Sequence, residues 1–154
     1  ENFKTVESQL HENCKKESRN AFVCLDDGQA VSWQDLFNFI LKVAHFLKIN
    51  DIKANDRIVV LGENTIENLI FYYGIQAYGA TYCTINVEIN RNHLLEMLHR
   101  LQPKFVLFQE GLGLDTIDDS QVGKWVRYGS RLADNGLLEA LHKFSQKDRF
   151  GWSA

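Results

Sequence analysis

Three glutamates follow apolar runs in this 154-residue chain: Glu63 after Arg57–Gly62, Glu88 after Ala80–Asn86 and Glu110 after Lys104–Gln109. Gathered at one edge of a sheet, such carboxylates could serve as acid and base or as magnesium ligands. Polar residues are also the ordinary solvated exits of strands, and that plainer reading is preferred. Asn64-Thr65, at the start of a helical pattern, could meet an anion through unpaired amides. Capping by Asn64 is the simpler account. The first of these turns offers one Gly, where a dinucleotide fold needs GxGxxG, and no Gly-rich turn ends in Lys-Ser/Thr. Gly111-Leu112-Gly113 reads as a turn, no serine stands in a GxSxG context, and Phe71-Tyr72-Tyr73 reads as core rather than as a stacking platform. No catalytic constellation is complete, so no catalytic residue is assigned, and cofactor-binding positions stay open.

The remaining reactive side chains are scattered. Cys14, Cys24 and Cys83 are odd in number and form no CxxC pair, which argues against a disulfide scaffold or a zinc site. They read as small residues in a reducing compartment, and a cytoplasmic location is expected. His11, His45, His93, His99 and His142 show no ligand spacing, and no metal site is expected.

Elements that would position these residues can be read from periodicity. Thr5–Lys16 is amphipathic, with Val6, Leu10 and Cys14 about four apart. Ala21–Leu25 and Ala30-Val31 flank Asp26-Asp27-Gly28-Gln29 and predict a hairpin. Ser32 with Asp35 resembles a capping box, and Trp33, Leu36, Phe37, Ile40, Val43, Ala44 and Leu47 then share one helical face. Asn55-Asp56 marks a turn before Arg57–Gly62, whose continuous β-branched run fits a strand buried on both faces. Asn64 with Glu67 predicts a cap for the helix carrying Ile66, Leu69, Ile70, Tyr73 and Ala77, with Gly79 at its end. Ala80–Asn86 is the next strand. A helix follows with Leu94, Met97, Leu98 and Leu101 on one stripe, stopped by Pro103, and Lys104–Gln109 is the third strand. The result is an α/β fold: a β-α-β-α-β parallel sheet unit with flanking helices and an N-terminal hairpin. Beyond it, Gly111–Ser120 reads as a surface loop, Lys124–Tyr128 as a short strand and Gly136–Phe144 as a last helix capped by Asp134. Ser145–Ala154 shows no periodicity. One unit over 1–154 is expected.

Composition narrows the classes. The chain is 45% hydrophobic, enough for a folded core rather than a disordered tail. Its net charge of −3 argues against a nucleic-acid partner. No apolar run reaches the roughly 20 residues of a membrane span, and no signal peptide opens the chain at Glu1.

The order of these features resembles a known family. Val31-Ser32-Trp33-Gln34-Asp35-Leu36, a long helix, and Asp51-Ile52-Lys53-Ala54-Asn55-Asp56-Arg57-Ile58-Val59-Val60 resemble the N-terminal region of the adenylate-forming enzymes. That superfamily contains acyl-CoA synthetases, peptide-synthetase adenylation domains and luciferases. Its usual form is Ser/Thr-aromatic-x-Glu/Asp-Leu, a helix, then Gly-Ile-x-x-Gly-Asp-x-Val. Asn64 with Glu67, Gly79-Ala80, Ile85-Asn86 and Pro103-Lys104-Phe105-Val106-Leu107 continue the match, which runs from about Val6 to Glu110. Asp51 and Asn55 stand where the family usually has Gly, and Cys83-Thr84 where Pro is common. Asn takes a left-handed conformation easily; Asp does so less readily.

The resemblance implies the start of the large N-terminal domain of an acyl-CoA synthetase-like, AMP-binding ligase. Such a ligase activates a carboxylic acid with ATP and magnesium to an acyl-adenylate and passes the acyl group to a thiol, usually coenzyme A. Fatty, aromatic and amino acids all stay open, fatty acid metabolism is the setting expected, and coenzyme A is preferred as the acceptor because that branch is the most common. The family's Lys-ended phosphate loop, adenine motif, ribose-binding Asp, hinge and C-terminal Lys have no counterpart here; Gly151-Trp152-Ser153-Ala154 stands where the approach to the phosphate loop is expected. No family role is therefore carried onto any residue, and none of ATP, magnesium or CoA is expected to bind fully to this chain, which is expected to be inactive alone. An uncovered sheet face is expected to meet the remainder of the ligase or another protein. The alternative is a non-catalytic, truncated α/β module acting in protein–protein interaction.

Overall fold

The computed structural model describes residues 4–16, 19–23, 28–114, 117 and 121–129. Val6–Lys16 forms helix α1, which buries Leu10 and leaves Val6 on the surface. Its His11 ring stacks on Phe37 at 5.3 Å, fixing α1 against the next helix. Strands β1 (Asn20–Val23) and β2 (Ala30–Ser32) pair antiparallel as a small separate sheet. Cys24, Leu25, Asp26 and Asp27 of the expected hairpin lie outside the described residues, as do the expected helix over 136–144 and its Asp134 cap.

Helix α2 (Trp33–Ile49) starts as its sequence dictates. The Ser32 hydroxyl accepts the Asp35 N–H at 3.1 Å and donates to Asp35 Oδ2 at 2.9 Å, satisfying a backbone donor that the helix cannot. Leu36, Ile40, Val43, Ala44 and Leu47 are buried along one stripe. Trp33 and Phe37, expected on that face, sit at its margin and are only partly covered. At the other end the Asp51 N–H donates to the Lys48 carbonyl at 3.0 Å and the Ile52 N–H to the Leu47 carbonyl at 3.0 Å. This is a Schellman ending whose left-handed residue is Asp51, with φ of 58°, and Ile52 and Leu47 supply its buried apolar contact. Asn55 is also left-handed, at φ 65°. Both residues standing where glycine was expected therefore adopt the conformation that glycine would supply.

The main sheet holds β3 (Arg57–Leu61), β4 (Thr81–Thr84), β5 (Phe105–Gln109) and β6 (Lys124–Tyr128) in the order β4-β3-β5-β6. Every neighbouring pair is parallel, and β6 matches the short strand expected over Lys124–Tyr128. Helix α3 (Ile66–Tyr78) links β3 to β4, and α4 (Arg91–Leu101) links β4 to β5. α3 ends at Gly79, φ 95°, in the same double hydrogen-bond pattern as α2: Gly79 N–H to Gln76 and Ala80 N–H to Ile75.

Alternate residues of β3 and β5 feed two cores. Ile58, Val60, Phe105 and Leu107 pack with α1, α2 and α3 on one face. Val59, Leu61, Val106 and Phe108 pack with Leu94 and Leu98 of α4 on the other. A sheet covered on both sides explains why these strands read as unbroken apolar runs. Met97 is a correction: it is 39% exposed, and Leu95 packs at the α4 margin instead. The helix turns Leu94, Leu98 and Leu101 inward, and position 97 falls off that stripe.

The edge where strands enter is laced by backbone. Asn55 N–H donates to Gly79 at 2.9 Å, Thr81 N–H to Asp56 at 2.8 Å, Lys104 N–H to Arg57 at 2.8 Å and Lys124 N–H to Lys104 at 2.9 Å. The opposite edge, where strands exit, is built differently and carries the site.

Candidate functional site at the exit edge of the sheet

Parallel sheets place ligands outside the carboxyl ends of their strands, at the point where strand order reverses. Here the chain moves from β3 outward to β4, then crosses back to β5, so the reversal lies between β3 and β5. That crevice is filled by side chains. Gln109, at the end of β5 and 3% exposed, reaches across it. Its Oε1 accepts the Glu63 N–H at 2.9 Å, and its Nε2 donates to Glu63 Oε2 at 3.1 Å. From below, Asn68 Nδ2 donates to the Glu63 carbonyl at 3.0 Å, and the Tyr82 hydroxyl donates to Asn68 Oδ1 at 2.6 Å. The backbone and carboxylate of Glu63 are thus held by two carboxamides from distant parts of the chain.

The turn from β3 into α3 corrects the expected cap. The N-cap is Thr65, in extended conformation, whose Oγ1 accepts the Asn68 N–H at 3.3 Å. Asn64 stands one residue too early to reach that amide and lines the cleft described below. Glu67, expected to complete the cap, is fully buried in the first turn of α3. Glu67, Asn68 and Gln109 are the buried polar residues among those described, and all three belong to this edge. Tyr128 ends β6 beside them, fully buried, its ring edge-on to Phe71 at 4.9 Å. Its hydroxyl has no hydrogen-bond partner among the described residues. Burial, and then its neighbours Tyr82, Glu67 and Glu63, hold this phenol well above its ordinary range, so it stays neutral. Gly62 gives it room, because any Cβ there would collide with the Tyr128 hydroxyl.

An open cleft of about 640 Å³ lies to the β4 side, lined by residues 62–64 and 84–88 together with Leu112. It brings together two of the three glutamates, Glu63 and Glu88. Glu110 is elsewhere: its carboxylate faces Arg127 Nε at 4.0 Å, and its N–H donates to the Tyr128 carbonyl at 3.0 Å. Asn86 Oδ1 accepts the Glu88 N–H at 2.9 Å and shapes the β4–α4 turn. The cleft thus presents two carboxylates, two carboxamides and the Thr84 hydroxyl beside Ile85, Val87 and Leu112, with no basic side chain in its lining.

That donor set decides what the cleft can hold. The phosphates of a nucleotide need cations or unpaired amides. Two carboxylates repel them, so these residues do not fit a nucleoside triphosphate. Among the described residues no group of three or more His, Cys, Asp and Glu is placed to hold a metal ion. The aromatic run divides: Phe71 is core and Tyr73 stacks on Phe22 at 5.9 Å, as expected. Tyr72 turns outward, edge-on to Tyr82, beside a hollow of about 320 Å³ at the open edge of β4. Cys14 and Cys83 are free thiols, and burial pushes the Cys83 thiol up despite Arg57 nearby. No helix among the described residues is long and apolar enough to cross a membrane.

Sequence reasoning named Glu63, Glu88 and Asn64 but missed Gln109, Asn68, Tyr82 and Tyr128. The available signal was Gln109 itself, a long polar residue ending an otherwise apolar strand at a strand-order reversal.

Comparison with known proteins adds the family. The chain is 24% identical over 116 residues to the human long-chain fatty acid transport protein 6, a stretch that is 75% of this chain and 18% of that protein. Its fold superposes on a Mycobacterium tuberculosis fatty acyl CoA synthetase with a TM-score of 0.76 at 18% identity, covering 92% of this chain and 28% of that one. ATP-bound MatB from Rhodopseudomonas palustris gives 0.73 at 18% identity, with the same two coverages of 92% and 28%. The chain thus spans under a third of the length of these relatives. The model of one family, described as AMP-binding enzyme, matches residues 10–149. With that match spanning most of its length, the chain belongs to the AMP-binding, adenylate-forming enzymes.

Proposed function

We propose that this chain forms the N-terminal portion of the adenylation domain of an ATP-dependent carboxylate-activating ligase, as a single α/β unit over 1–154. The complete enzyme would form an acyl-adenylate with ATP and magnesium and then a thioester, with CoA as acceptor. A fatty acid is the substrate class favoured by the fatty acyl and fatty acid transport relatives. The observation that carries this reading is the family match over residues 10–149. The chain itself supplies scaffold: it orders the exit edge of the sheet, while the charge-cancelling groups that such chemistry needs are absent from its cleft. Catalysis would then require the remainder of a ligase, whose work is positioning and the neutralisation of phosphate. A cytoplasmic site of action fits this reading.

The test is pyrophosphate exchange with ATP and a panel of carboxylic acids. The 154-residue chain should give none, and a longer product of the same gene carrying a Lys-containing phosphate loop should give robust exchange. Exchange by this chain alone would overturn the scaffold reading. The second reading, a protein-interaction module, is favoured by one observation: Tyr72, 41% exposed, beside the open edge of β4. It is the better account if the gene ends at Ala154.

A further inference from the structure

We draw no further inference here: the strongest candidate, the open cleft at the exit edge between the β3–α3 and β4–α4 turns, rests on the carboxylates of Glu63 and Glu88 alone, and no second observation among the described residues points to a ligand for it.

Discussion

Replacing Gly62 by Ala would drive a methyl carbon into the Tyr128 hydroxyl, well inside the 3.0 Å that real Cβ contacts respect, with Gln109 Oε1 at 3.1 Å and Tyr128 Cζ at 3.2 Å. Gly62 is not among the left-handed residues, so its backbone tolerates Ala. Loss of unfolded-state freedom alone would then stabilise the variant by about 0.4–1 kcal/mol. Overpacking against a fully buried ring costs about 1–3 kcal/mol. The steric term wins, and Gly62→Ala should lose about 1–2 kcal/mol net. Tyr128→Phe alone removes a buried hydroxyl that has no hydrogen-bond partner among the described residues and should be neutral or stabilising by up to about 1 kcal/mol. Combined, the phenyl ring no longer presents its oxygen to the new methyl, so the double variant should sit within about 1 kcal/mol of wild type. Urea unfolding with m-values held constant gives all three energies and the coupling between the two sites. The coupling should be favourable by at least about 1 kcal/mol. Additivity within about 0.5 kcal/mol, the figure for independent sites, would refute the claim that Gly62 exists to make room for Tyr128.

Further outcomes concern the helix ends and two covered phenols. Asp51→Gly should stabilise the chain by about 0.5–1 kcal/mol by removing left-handed strain, whereas Gly79→Ala should cost about 1 kcal/mol or more, both read as shifts in urea midpoint. Burial, first of all, raises the phenols of Tyr128 and Tyr82 above their unfolded value, so the folded state holds protons that the unfolded chain gives up. The stability this contributes is complete below the unfolded value near pH 10 and is lost as pH rises from there toward the folded values. Unfolding free energy measured from pH 8 to 11 should therefore fall above about pH 10, and less steeply in Tyr128→Phe.

How much of this was legible depends on whether the determining contacts are local. Helix α2 was, because Ser32 and Asp35 are three apart and its apolar stripe repeats at helical spacing. Strands β3 and β5 were, because burial on both faces leaves no polar alternation to misread. Asp51 was legible as a departure, and the Schellman hydrogen bonds around it are also local. The exit edge was not. Gln109 grips Glu63 across 46 positions in sequence, and nothing near either residue announces the partner. Glu67 reads as the acid completing a cap, and only the packed structure, with Tyr128 ending β6 nearby, shows that this corner is interior. The misassigned cap has a smaller cause: Asn64 and Thr65 are both good capping residues, and the choice between them turned on which one reaches the Asn68 amide.

The contrast between the two edges of the sheet sets their tolerance to sequence drift. At the entry edge the strands are joined by main-chain groups, which every residue but proline provides in full, so substitutions there exchange side chains without removing a joint. At the exit edge the joints at the strand-order reversal belong to side chains: Gln109, Asn68 and Tyr82 cannot be replaced singly without stranding a polar partner. A library of random variants selected only for folding should accordingly scatter changes over the exposed Lys53, Ala54 and Lys104 while leaving Gln109, Asn68 and Tyr82 nearly untouched. The edge that meets ligands in this class of fold would then be the one least free to vary, even under selection that never asks for activity.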